Sequence, residues 1–579
     1  MEGNKMKQRM RYWLSILLVC AMVLSLLPVS ALADGPDSST STQETSTTTS
    51  TEPAGDLVPA ADPETEPSSG PANGPEPAPE TVTTPIYVSE TGNDITGTGK
   101  ESAPYATLAK AVKAVDEGKI ERAVIYVMSD LIMTESAQYW SGDITITSDP
   151  KSLKDAEKST FTISRAETGF KATGDLQRGG YNGPMLEVGN DADLTLENIV
   201  LDDGGYAAYS ENSATVSGKT PYFVQVESGG NGYTTIDGQQ VSNHQIVQDA
   251  IITSFSEYTT ITLGEGAVLQ NYGGMSAVRA SNATLIMEAG SKICDTNGMT
   301  RIKGAEGSLG PKGAVWVQNG EFIMNEGAEI SGIDGRAVYA EAGQVEIGGT
   351  ISNLTYNANF QNAFQGLAVH LRAGANGEVS GEVCDIKLTA ANSSVLHDVG
   401  GTLTVSGNIS DIESTSTGRV INVENTERIT ANVTISGKIS GIKNSSGYVL
   451  YLSEAAKGTL TGTIENVTGK VVYLVDGSGP DYEGDKEWTE FTMKNGAVIS
   501  DVTGSSVIEA IVSRGSKTAS DDTPGSKDPY SIADPSMRDH VSFTIDGDIN
   551  DVEVTNLIQM NADIYAFGQF AKNPGEYID

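Results

Sequence analysis

Two hydrophobic–polar patterns run through the chain from about Ile86 onward. The first is a triplet of an aliphatic residue, a variable residue, and then Asp, Asn or Gly. It occurs at Leu201-Asp202-Asp203, Leu269-Gln270-Asn271, Ile293-Cys294-Asp295, Ile330-Ser331-Gly332 and Ile351-Ser352-Asn353. It continues at Val383-Cys384-Asp385, Ile409-Ser410-Asp411, Ile439-Ser440-Gly441, Ile464-Glu465-Asn466, Ile499-Ser500-Asp501 and Ile549-Asn550-Asp551. The third position always holds a residue type that tolerates a left-handed backbone. The triplet therefore predicts a strand that ends in a bend, and the same bend in coil after coil.

The second pattern is a strand of two apolar residues, a variable one and another apolar one. It reads Ala314-Val315-Trp316-Val317, Ala337-Val338-Tyr339-Ala340, Ala368-Val369-His370-Leu371, Val449-Leu450-Tyr451-Leu452 and Val471-Val472-Tyr473-Leu474. Alternation with period 2 turns the third residue outward and its neighbours inward. From that outward residue to the next aliphatic anchor the count runs only from 12 (339 to 351) to 14 (316 to 330) in most coils. Most insertions fall instead after the bend. A constant arc with loops gathered at one edge predicts a solenoid.

One helix precedes the strands. Leu108, Ala111, Val112 and Val115 are spaced i, i+3, i+4, i+7, and Gly118 stops the run. A single short helix before a long succession of strands predicts a cap over the open end of the stack.

Residues 86–115 carry a recognisable opening: Tyr87-Val88-Ser89, Gly92 with Asp94, Gly97-Thr98, Pro104, Thr107-Leu108 and Ala111-Val112. This opening resembles that of right-handed parallel β-helix proteins of the pectate-lyase-like superfamily. The resemblance implies an all-β, right-handed parallel β-helix with an N-terminal capping helix. It spans polysaccharide lyases and hydrolases as well as adhesin-like surface proteins of Gram-positive bacteria, so fold alone does not choose a function.

The N-terminus changes the picture of location. Lys5, Lys7, Arg9 and Arg11 precede an apolar run from Trp13 to Leu27, and Ala31-Leu32-Ala33 follows as a cleavage box. Residues 1–33 are expected to be a signal peptide, and the mature chain to be secreted or cell-surface associated with no transmembrane segment. Residues 34–84 contain no aromatic residue, no Lys or Arg, and nine of the 21 prolines. Such a tract is expected to be a disordered Ser/Thr/Pro/Glu-rich spacer. Residues 85–579 then form the β-helix domain, with the cap and first coils in 85–150.

A net charge of −39 argues against nucleic acid or an anionic membrane as electrostatic partners. It raises Ca²⁺ as a possible ligand, but Gly229-Gly230-Asn231-Gly232 lacks the aspartate of a calcium repeat and occurs once. No cofactor or metal is expected. Cys294 and Cys384, the two cysteines beyond the signal segment, fall in the bend triplet and are expected to be buried rather than a redox pair.

Catalytic candidates are few. Asp202-Asp203 with Arg301-Ile302-Lys303 is similar to the paired aspartates and Arg-Ile-Lys of polygalacturonases, but the Gly-His-Gly of that family is missing and Asp203 belongs to the bend column. His244, His370, His397 and His540 have no metal-ligand spacing within one element.

The outward column is the remaining constellation. It reads Arg279, Trp316, Tyr339, His370, His397, Asn422, Tyr451, Tyr473, Glu509. Aromatic residues make up only 6% of the chain, and here they gather on one line expected to be exposed. Trp316, Tyr339, His370, His397, Tyr451 and Tyr473 are the expected ligand-binding residues, suited to stacking on a polysaccharide. The sequence thus predicts a secreted, non-catalytic, adhesin-like protein that binds a polysaccharide or host ligand. The alternatives are a lyase or glycoside hydrolase acting on an acidic polysaccharide, and a stalk with no ligand. Val395-Leu396-His397-Asp398 breaks the pattern by ending in Asp.

Overall fold

The computed structural model describes residues 83–562, except 167–183, 190, 205–232, 237–238, 243–249, 273–275, 296–312, 334, 356–365, 373, 426–429, 476–488 and 513–540. The expected signal peptide, nearly all of the expected spacer, His244, His540, Arg301, Ile302 and Lys303, and the stretch 229–232, lie outside the described residues.

Among the described residues the strands form one 34-stranded sheet paired in parallel, plus an antiparallel pair, Tyr233–Ile236 with Gln239–Ser242. Each coil presents three strand segments in turn. A typical coil has Val278–Ser281 on what we call face 1, Thr284–Met287 on face 2 and Lys292–Cys294 on face 3. Each segment pairs with the equivalent segment of the coils before and after it. Some strands turn a corner without a break: Val315–Met324 runs from face 1 to face 2, and Lys438–Ser453 from face 3 to face 1. The molecule is a parallel β-helix, with the right hand that parallel crossovers adopt.

The aliphatic anchors of the triplets stack in one column on face 3. Leu201 registers with Leu269, and the series runs on through Ile293, Ile330, Ile351, Val383, Ile409, Ile439, Ile464, Ile499 and Ile549. All but Ile549 are buried, each burial stabilising by about 1.5–3 kcal/mol. The bend is left-handed as expected, with φ of 53° at Asp295, 54° at Asp385 and Asp411, 53° at Asn466 and 68° at Gly441. Asp203 is the exception, because the positive φ falls one residue later, on Gly204 (76°).

The opening motif has a physical basis. A Cβ at Gly92 would sit 2.2 Å from the Tyr105 carbonyl oxygen, so only glycine allows the two segments to cross. Asp94 accepts hydrogen bonds from the Ala106 and Thr107 amides (2.7 and 3.1 Å) and from the Thr107 hydroxyl (2.8 Å). That fixes Thr107 as the N-cap of helix α1, Leu108–Gly118. Leu108, Ala111, Val112 and Val115 are its buried residues. A second short helix, α2 (Pro150–Ala156), capped by Asp149, was not legible in the pattern.

Candidate functional site

The outward column forms on face 1 in the expected register. Arg279 pairs with Trp316, Trp316 with Tyr339, Tyr339 with His370 and His370 with His397. The line continues through Asn422, Tyr451, Tyr473 and Glu509. Parallel strands with no slip stack like on like, so the rings meet. Tyr339 meets His370 edge to face (5.2 Å), His370 and His397 lie 4.6 Å apart, and Tyr451 stacks on Tyr473 at 5.0 Å.

The expectation that this line is exposed is wrong over half its length. Trp316 and Tyr339 are each 5% exposed and His397 only 1%, while Asn422 and Glu509 are also buried. His370, Tyr451, Tyr473 and Arg279 are half-buried. Pointing away from the apolar core is not the same as meeting solvent, because long neighbouring side chains lie across the rings. Arg279 lies 4.2 Å from the Trp316 ring centroid, Arg336 lies 4.8 Å from that of Tyr339, and Arg419 lies 3.5 Å from that of Tyr451.

These cations form a feature that the sequence pattern did not reveal. Three residues before the column runs a second one, in which Ser394, Arg419, Tyr448 and Lys470 register coil to coil. Arg336 holds the equivalent place before Tyr339. Lys470 donates to the Tyr448 hydroxyl (3.1 Å) and pairs with Glu509 (2.7 Å), and Tyr448 packs 4.2 Å from Tyr473. Among the described residues from 250 to 562, every arginine (279, 336, 372 and 419) lies on face 1. The signal was available in part: a basic or aromatic residue stands three positions before Tyr339, Asn422, Tyr451 and Tyr473.

Burial sets the electrostatics. Arg336 is held down to about 10 by desolvation. His397 is held below the usual histidine value, chiefly by burial. Its Nε2 lies 2.9 Å from Glu424 Oε1. Burial alone would raise the Glu424 carboxyl, but the bond and charge of His397 bring it below its ordinary value. The Asp that broke the strand pattern is inside the stack: Asp398 registers with Leu371 and Val423 and is fully buried. Neither of its carboxyl oxygens has a hydrogen-bond partner, and desolvation pushes it up to about 7. Neither His397 nor Asp398 is placed to touch a substrate.

The remaining candidates are structural. Asp203 pairs with Arg165 in the interior, and Asp202 accepts from Gln270 and Asn271 on the next coil (2.8 and 3.1 Å). Cys294 is buried and Cys384 half-buried, both free thiols. No group of three or more His, Cys, Asp or Glu side chains able to hold a metal occurs among the described residues. No described helix is long and apolar enough to cross a membrane.

Fold and site together define a parallel β-helix with an arginine-and-aromatic ladder on one face. No family model and no curated protein matches the chain. Among solved structures it is similar to the crystal structure of PfbA, a surface adhesin of Streptococcus pneumoniae, at 10% identity and a TM-score of 0.32, over 78% of this chain and 88% of that one. The fold assignment rests on the strand pairings and not on that likeness.

Proposed function

We propose that this chain is a secreted or cell-surface, adhesin-like β-helix that holds an extended polysaccharide or other extracellular ligand along face 1 without reacting with it. The observation that supports this reading best is the unbroken ladder of rings and guanidinium groups on a rigid stack. Rings held in register offer contact area with little side-chain entropy left to lose. The half-buried Tyr451, Tyr473 and Tyr448 and the exposed Arg372 are the parts of the ladder that a ligand reaches, while Trp316 and Tyr339 lie buried several coils away in the same column. The export-type N-terminus and the spacer fit an extracellular role.

Immobilised polysaccharides and the chain, with glycan length followed by mass spectrometry, test the reading. One glycan should retain the protein and stay intact, and Tyr451→Ala with Tyr473→Ala should weaken retention about tenfold or more. Shortening of any glycan would instead make the chain a lyase or hydrolase.

A further inference from the structure

The most exposed aromatic rings of face 1 lie outside the central column, in its first coils. Trp140 follows Tyr139 and Phe255 follows Ser254, and both Tyr139 and Ser254 register with Val188. Gly189, which follows Val188, therefore sits between the two aromatic residues, one coil from each. Trp140 is 38% exposed and Phe255 48%, against 5% for Trp316 and Tyr339.

The glycine is part of the arrangement. A Cβ at Gly189 would come within 2.9 Å of Trp140 Cζ3 and 3.2 Å of Cε3. Any side chain at 189 would lift the indole off the strand, whereas glycine lets it rest on the backbone. On the next coil Phe255 lies 4.7 Å from the Arg279 guanidinium, which is the first member of the ladder proper. Indole and phenyl thus stand two coils apart, about 9.6 Å at the strand spacing, with Gly189 between them, and the guanidinium follows one coil further on. Two positions back along the strands, Gln138 Nε2 donates to Glu187 Oε2 (2.6 Å), so amide and carboxylate oxygens border the rings.

We propose that Trp140, Gly189 and Phe255, with Arg279, Gln138 and Glu187 at their edges, form a binding subsite for an uncharged glycan. The inference rests on the ligand-holding reading of face 1 and names the ligand class for it. A pyranose has an apolar face that stacks on a ring and a rim of hydroxyl groups that both donate and accept. Flat, open rings bordered by an amide, a carboxylate and a guanidinium match both features. The net charge of −39 and the carboxylate of Glu187 disfavour an acidic polymer here.

The experiment is affinity electrophoresis of the full chain in native gels containing hydroxyethylcellulose, xylan or dextran, with alginate as the acidic probe. At least one neutral glycan should retard the protein, and Trp140→Ala with Phe255→Ala should weaken that binding at least tenfold. A second measurement uses the unaltered protein: the same glycan should slow N-bromosuccinimide oxidation of Trp140, read by peptide mass spectrometry. Retardation that survives loss of Trp140 and Phe255 but not of Tyr451 and Tyr473 overturns the subsite and leaves the ligand-holding reading standing. Retardation by alginate alone overturns the ligand class. No retardation by any probe and no protection of Trp140 overturns both the subsite and the polysaccharide as the ligand of face 1.

Discussion

Arg165 and Asp203 form an ion pair inside the stack, with both side chains 0% exposed. Arg165 faces inward at the end of Phe161–Arg165, where its coil neighbour is Met133. Asp203 follows the anchor Leu201 one coil on. The triplet pattern places Asp203 in the bend column, but the positive φ moves to Gly204 here, with the carboxylate committed to the interior.

Removing one partner should be far worse than removing both. Asp203→Ala is expected to destabilise by about 3–5 kcal/mol, since it takes the carboxylate away from a buried guanidinium, whereas Arg165→Met with Asp203→Leu should be near neutral. Urea unfolding of the three proteins decides it. Equal losses in the single and double variants would mean that the pair is not what holds this corner.

Asp398 gives a pH dependence of defined sign. Its carboxyl is raised from 3.8 to about 7 by burial, so the folded state binds the proton more tightly than the unfolded state. Its contribution is neutral below about pH 4, turns unfavourable as the pH climbs, and costs roughly 4 kcal/mol above pH 7. Asp398→Asn should therefore be more stable than the parent at pH 8, with the difference vanishing toward pH 4. A constant difference across that range would place the ionised carboxylate in contact with a counter-charge.

Register was legible in the sequence and exposure was not. The anchors from Leu269 to Ile549 and the column from Arg279 to Glu509 stack as the patterns predict, because period-2 alternation and a recurrent bend are local properties. Helix α1 was equally plain, its spacing being independent of the stack. The depth of Trp316 and Tyr339 depends on Arg279 and Arg336, which reach them through space. Asp398 is the complementary case. The pattern marked it as a misfit, and the misfit is a carboxyl enclosed by apolar neighbours.

The two thiols should be inert. Burial pushes Cys294 and Cys384 up to about 12 from 9.0, leaving roughly a thousandfold less thiolate than an ordinary cysteine at pH 8. They stand three coils apart through Ser331 and Ser352, about 14 Å, too far for a disulfide. Native protein should resist a thiol reagent at pH 8 and react quickly in denaturant. Fast labelling of the native form would contradict the burial of both.

The bend column predicts an asymmetry between substitutions. At Asn466, whose φ is 53°, Gly should be tolerated within a few tenths of a kcal/mol and Val should cost about 1–2 kcal/mol. Thermal unfolding of the two variants measures it. A valine variant as stable as the parent would show that the triplet's third position is not conformationally constrained.

Because the coils from Leu269 to Ile549 close at the same kind of residue over the same kind of anchor, these coils are interchangeable units. Duplicating or deleting a whole repeat moves everything beyond it by about 4.8 Å and replaces one interface by another of the same type. Reach therefore evolves as an integer. The number of rungs can change by slippage in the gene without redesign of any rung, and a lineage can lengthen or shorten the stack before a single side chain on face 1 is altered.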